Sequence, residues 1–221
     1  AQEELRDRLL SHLVAHFPDS YQLDANNTLH FHGHTQIEAD KANLWQTSLW
    51  VQEDLCIMEE IDNEYRLTAA SLCAPSEWNL QEKIGQPMSS IHAPVPELNR
   101  TIGKQIQHLF AKLSPLRPYQ RFNWSLKDSR QLALFPGDDR EHSESLNLRV
   151  ERQTLTRLPK TNAIAFTIKI YIYSLEQVAQ VEGALPALKL ALEGLSPAEI
   201  RYKALHLLYP RFREQYKLLH R

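Results

Sequence analysis

Between residues 162 and 173 apolar and polar positions alternate strictly. Ile164, Phe166, Ile168, Ile170 and Ile172 stand on one side, with Thr167, Lys169, Tyr171 and Tyr173 on the other. A period of two built on branched residues predicts a strand with one face buried and the other partly polar. At the start of the chain the period changes. Leu5, Leu9, Leu10, Leu13, Val14 and Phe17 recur at helical spacing and predict an amphipathic opening helix over 1–17. From 28 to 73 the short runs TLHFH, NLWQTSLWV, DLCIMEE and YRLTAASLC, separated by turn signals, read as strands. Further strands are expected at 119–126 and 131–135, and a helix at about 97–113. Ser174-x-x-Gln177 and Ser196-Pro197-x-Glu199 are N-cap signals that open helical segments running to the end. The pattern predicts one α+β domain over 1–221, an antiparallel sheet flanked by N- and C-terminal helices.

The stretch 74–99 fits neither period. It carries Pro75, Pro87, Pro94 and Pro96 and reads as a long ordered connection, a kind of segment that tends to carry function.

Composition narrows the chemistry. With 25 basic and 27 acidic residues, a net charge of −2 and no long run of one sign, neither a nucleic-acid nor a membrane-surface footprint is expected. No apolar stretch reaches the roughly 18 residues of a membrane span, and the charged opening segment does not read as a signal peptide. Two cysteines, Cys56 and Cys73, are too few for an iron–sulfur cluster or a disulfide framework, and point to a reducing, cytoplasmic setting. The six glycines, at 33, 85, 103, 137, 183 and 194, are too dispersed for a dinucleotide turn or a P-loop. H-E-x-x-H and G-x-S-x-G do not occur.

Three places could carry chemistry. His30, His32 and His34 would share a face on a regular strand and could hold zinc; the plainer reading is a solvated strand or turn beside Asn26, Asn27 and Gly33. His92 lies in Ile91-His92-Ala93-Pro94-Val95-Pro96, where the prolines predict a stiff, extended, non-helical mount. A lone loop histidine is also compatible with an ordinary hydrogen-bonding role. The run Leu148–Pro159 puts Arg149, Glu151 and Gln153 on one side of a strand and Val150, Arg152 and Thr154 on the other. Charge on both faces of a central strand suggests a polar cavity, and an edge strand with ordinary ion pairs is the alternative.

Taken in order, Val51-Gln52-Glu53-Asp54-Leu55, Pro75-Ser76-Glu77-Trp78, Glu82-Lys83-Ile84-Gly85, Ile91-His92-x-Pro94-Val95-Pro96, Arg121-Phe122-Asn123-Trp124, the Arg149–Pro159 run and Phe166-Thr167-Ile168 resemble the haem-dependent oxidative N-demethylase family over roughly residues 45–210. The resemblance implies a PAS-like sheet that holds haem b, with His92 as the axial metal ligand. It implies a monooxygenase that converts a small secondary amine and dioxygen to a primary amine and formaldehyde. Electrons would come from a separate flavin and iron–sulfur reductase. Arg152, Glu151 and Arg149 are the expected catalytic or propionate-binding residues, and Trp78, Lys83, Asn123 and Trp124 the expected pocket lining. A homo-oligomer remains open. A PAS-like haem sensor without turnover competes for the same site, and the zinc reading of the three histidines stands third.

Overall fold

The computed structural model describes residues 1–93, 105–106, 108–135, 137 and 142–220. Helix α1 (Gln2–His16) packs on a small antiparallel sheet, β1 (Tyr21–Leu23), β2 (Leu29–Phe31) and β3 (His34–Gln36). A second sheet contains β4 (Asp54–Ile61), β5 (Glu64–Ser71), β6 (Tyr119–Lys127), β7 (Asn147–Arg157) and β8 (Ile164–Ser174) in the spatial order β5-β4-β8-β7-β6. Every neighbouring pair in it is antiparallel. The chain is thus of the α+β class.

The two faces of the large sheet are covered differently. On one, the helix face, Leu55, Ile57 and Ala165 pack with Leu5 of α1. Farther along that face Leu126 and Leu148 pack with α6 (Leu175–Ala179), α7 (Ala184–Glu193), α8 (Pro197–Tyr202) and α9 (Leu205–Leu219). Both expected capping boxes form: Ser174 with Gln177 opens α6, and Ser196 with Glu199 opens α8. On the other, the site face, the connection between β5 and β6 lies over the sheet. It contains α3 (Leu80–Lys83), α4 (Met88–Ile91) and helical residues 105–106 and 108–112 (α5). Phe110, Leu113 and Met88 pack there on Met58, Tyr65, Leu155 and Ile164.

Several expectations are corrected. Residues 43–51 form no strand. Asn43 and Gln46 exchange backbone and side-chain hydrogen bonds of 2.9 Å, and this capping box starts helix α2 (Leu44–Ser48). Residues 131–135 make only the isolated bridge of Leu134 with Ser76, because the segment is held by side chains and single peptide groups instead of a ladder. The expected 97–113 helix is observed at 105–106 and 108–112, and its first part lies outside the described residues. His92 is not on an extended mount. Pro87 takes the N-cap of α4 and His92 its C-cap, with φ −95° and ψ 4°. Pro94 restricts directly only the residue before it, Ala93, which leaves Met88–Ile91 free to close a helical turn. The three histidines at 30, 32 and 34 do not share a strand face. His32 sits at φ 47° in the turn between β2 and β3, and no group of three metal-ligating side chains occurs among the described residues.

Candidate functional site

Strand alternation sorts the site residues. Residues directly opposite in a ladder point to the same face. Through the pairs Asn123↔Glu151↔Ile170 and Arg121↔Gln153↔Ile168, the odd residues of β6 and β7 and the even residues of β8 share the site face. It carries Arg121, Asn123, Arg149, Glu151 and Gln153 beside Phe166, Ile168, Ile170 and Ile172. A polar ladder therefore runs along an apolar floor. Arg152 and Trp124 fall on the helix face. Arg152 donates to Glu53 at 3.1 Å, and Trp124 packs on the C-terminal helices with the Lys203 ammonium 5.6 Å from its ring centre. The expected trio Arg149, Glu151 and Arg152 does not line one pocket.

Arg149 is fully buried, and the connection uses its whole guanidinium. It donates to Ser76 Oγ (2.8 Å), the Gln131 carbonyl (3.2 Å), the Ala74 carbonyl (2.9 Å) and the Leu132 carbonyl (2.8 Å). Asp54 grips the same segment from β4. Its Oδ1 accepts from Cys73 N (2.7 Å), Ala74 N (2.9 Å) and the Cys73 thiol (3.3 Å). Burial raises the Asp54 pKa, partly offset by those backbone donors. The two charges clamp residues 73–76 against 131–132. Just beyond the clamp, Glu77 (φ 59°) donates its N–H to the Leu134 carbonyl at 2.7 Å and pairs with buried Lys127.

Glu151 Oε2 accepts from Gln153 Nε2 at 2.8 Å and Asn123 Nδ2 at 3.2 Å, and Gln153 Oε1 accepts from Arg121 Nε at 2.7 Å. This chain of bonds fixes the carboxylate on the site face. At the C-terminal end of α8, burial lowers the Lys203 pKa, against the pull of Glu151, and burial raises that of Tyr202, with Glu151 and Glu77 adding to the effect. Both side chains therefore sense the same acidic ladder from the β6 edge.

His92 is half-buried at the end of α4, with Nδ1 3.1 Å from the Met88 carbonyl oxygen. The Nδ1–H tautomer donates to that oxygen and turns the basic lone pair to Nε2, which has no hydrogen-bond partner among the described residues. Burial lowers the pKa of the ring, and the nearby charges of Arg121 and Lys83 oppose protonation further, outweighing the Met88 carbonyl. A neutral imidazole, oriented through one nitrogen and free at the other, has the form a haem axial ligand takes. Arg121 and Lys83 would supply cations near it for propionates, and the half-buried Phe166 and Ile170 an apolar surface for the porphyrin. The residues present fit that group. Trp78 lines an open cleft of about 660 Å³ with Trp45, Leu72, Ile84 and Phe135; His92 is not among the residues lining it.

The family model described as haem-dependent oxidative N-demethylase, alpha subunit-like, matches residues 1–211. The chain belongs to this family. The match reaches the opening helix, beyond the 45–210 over which the motifs are legible. The family's description names haem dependence and oxidative N-demethylation, and an alpha subunit. Among the described residues, no helix is long and apolar enough to cross a membrane.

Residue-by-residue reading missed Asp54, Ser76, Arg121, Gln153 and Lys203 as parts of this arrangement. All but Lys203 stand inside the quoted motifs. Lys203 follows a capped helix, and its reach to β6 exists only in three dimensions.

Proposed function

We propose that this chain binds haem b on the site face through His92 Nε2 and catalyses oxidative N-demethylation of a small secondary amine to a primary amine and formaldehyde. The observation that carries the reading is the His92 side chain, held neutral by burial and oriented by the Met88 carbonyl, above a face that combines apolar residues with Arg121 and Glu151. When bound, haem supplies the iron centre for dioxygen chemistry. The protein groups then divide the remaining work. Lys83 and Arg121 neutralise the propionates. Glu151, anchored by Gln153 and Asn123, holds the ammonium of a protonated amine. Arg149 positions the connection that carries Glu77 and Trp78. Arg152 and Trp124 act from the far face as ion pair and packing.

A PAS-like description of the sheet rests on its five antiparallel strands and on the helical connection laid over one face. Electrons come from a separate flavin and iron–sulfur reductase, in keeping with two free cysteines and no dinucleotide loop in this chain. Those free thiols also agree with a cytoplasmic setting.

The test is an absorption spectrum of the protein after haem reconstitution, wild type against His92→Ala, followed by formaldehyde assays with secondary amines and a competent electron donor. The expected result is a near-stoichiometric Soret band that is lost or shifted in His92→Ala. Glu151→Gln is expected to keep the band and raise KM for the amine. A wild type without the band, or a band indifferent to His92, would overturn the haem site. A normal band with no formaldehyde from any amine would replace the enzyme with a haem sensor.

A further inference from the structure

The outer edge of β6 shows main-chain groups for which the described residues supply no partner, and the register identifies them. In an antiparallel sheet a residue's N–H and C=O point together to one neighbouring strand, and the next residue's point to the other. Leu67 of β5 accepts from Gly85 N at 2.7 Å and donates to Gln86 O at 3.1 Å, so its groups face out of the sheet. Arg66 therefore pairs inward with Glu59, and Met58 turns to Ile164 of β8. Carried through Ala165↔Thr156 and Leu155↔Tyr119 to β6, the alternation turns Tyr119, Arg121 and Asn123 inward to β7. Gln120, Phe122 and Trp124 point outward. An independent contact agrees: Lys203 Nζ donates to the Trp124 carbonyl at 2.7 Å from outside the sheet.

For Gln120 and Phe122 no outward partner occurs among the described residues. The surroundings are apolar as well: Phe122 is 60% exposed, Tyr119 42% and Leu116 89%. Residues 119–124 hold none of the lysine or proline with which edges are usually blunted.

We propose that this edge pairs with the same edge of a second copy of the chain, joining two five-stranded sheets about a twofold axis. Two self-pairings set Phe122 opposite a residue whose outward N–H and C=O are both without a partner among the described residues. Centred on Arg121, the pairing sets two guanidinium groups face to face, which is unfavourable. Centred on Phe122, it joins Phe122 to Phe122 of the partner subunit by two main-chain hydrogen bonds. It also sets Arg121 opposite Asn123 of the partner subunit, and the pairing ends where Lys203 already holds the outward carbonyl of Trp124. Arg121 and Asn123 belong to the site face, so the second copy closes the open side of the polar ladder. An isologous interface needs this self-complementarity. The inference concerns the edge alone and does not depend on haem.

The experiment is sedimentation velocity on the full chain over a concentration series, wild type against Phe122→Pro. Proline removes an N–H that makes no bond within the sheet, so circular dichroism and melting temperature are expected to stay near wild type. The wild type is expected to be a dimer, and Phe122→Pro a monomer or a dimer with a dissociation constant at least about tenfold higher. Should Phe122→Pro fail to fold, Phe122→Lys, which keeps every main-chain group and places two ammonium groups opposite each other, gives the same reading. A wild type that is monomeric throughout, or a folded variant that dimerises as well as wild type, would overturn the proposal.

Discussion

The two faces of the large sheet are built from the same strands by opposite means. On the helix face, Leu126, Leu146 and Leu175 are buried among the leucines of α7 and α9, and stability there is apolar area removed from water. On the site face the largest fully buried side chain is Arg149, and its four hydrogen bonds hold a connection that lacks a ladder of its own. An apolar contact tolerates small shifts. A buried guanidinium bonded to three carbonyls and a hydroxyl does not, because each lost bond leaves a desolvated polar group. The difference teaches that a connection without a ladder of its own is secured by directional bonds, where the helices on the other face are secured by apolar area.

Breaking the clamp tests the contrast most severely. Arg149→Ala leaves the buried Ala74 carbonyl and the part-buried Gln131 and Leu132 carbonyls without this donor and is expected to cost about 3–5 kcal/mol in urea denaturation. A loss of less than about 1 kcal/mol would mean that the connection is held by something other than the clamp.

The partner carboxylate sharpens the comparison through pH. Burial raises the pKa of folded Asp54 above its unfolded value, so the folded state binds a proton more readily than the unfolded chain. Its contribution to stability is therefore fully present below the ordinary carboxylate pKa of about 4, and is lost as pH rises through the raised folded value. Asp54→Asn keeps an oxygen for the three donors that all converge on Oδ1. Its stability is expected to lie within about 1 kcal/mol of wild type at neutral pH, with this part of the pH dependence removed. Denaturation midpoints measured between pH 4 and pH 8 would show it. An unchanged slope would assign the dependence to another group.

The smallest effect is expected from Arg152→Ala. Its ion pair with Glu53 is partly exposed on the helix face, where such pairs contribute about 0–1 kcal/mol. The Soret band of the reconstituted variant is expected to match wild type. A displaced band would place Arg152 in contact with the cofactor and undo the division of roles between the faces.

The sequence by itself determined the features that depend on neighbours along the chain. The alternation of Ile164–Ile172, the two serine capping boxes and the amphipathic spacing of α1 were legible because period and capping are local properties. Segment 43–51 misled because its aromatic and branched residues outweigh the Asn43-x-x-Gln46 signal, which is equally local and decides the helix. The motifs also named most of the site, His92, Glu151 and Arg121 among them. Tertiary structure alone decided their roles. Alternation says that Arg152 and Glu151 point opposite ways, yet only the packing of the helices on one face and the connection on the other says which of them faces which. Arg149 is spent on carbonyls of Ala74, Gln131 and Leu132, tens of residues away or nearly so, and no spacing in the sequence encodes that. The orientation of His92 likewise follows from the single helical turn that brings the Met88 carbonyl to Nδ1.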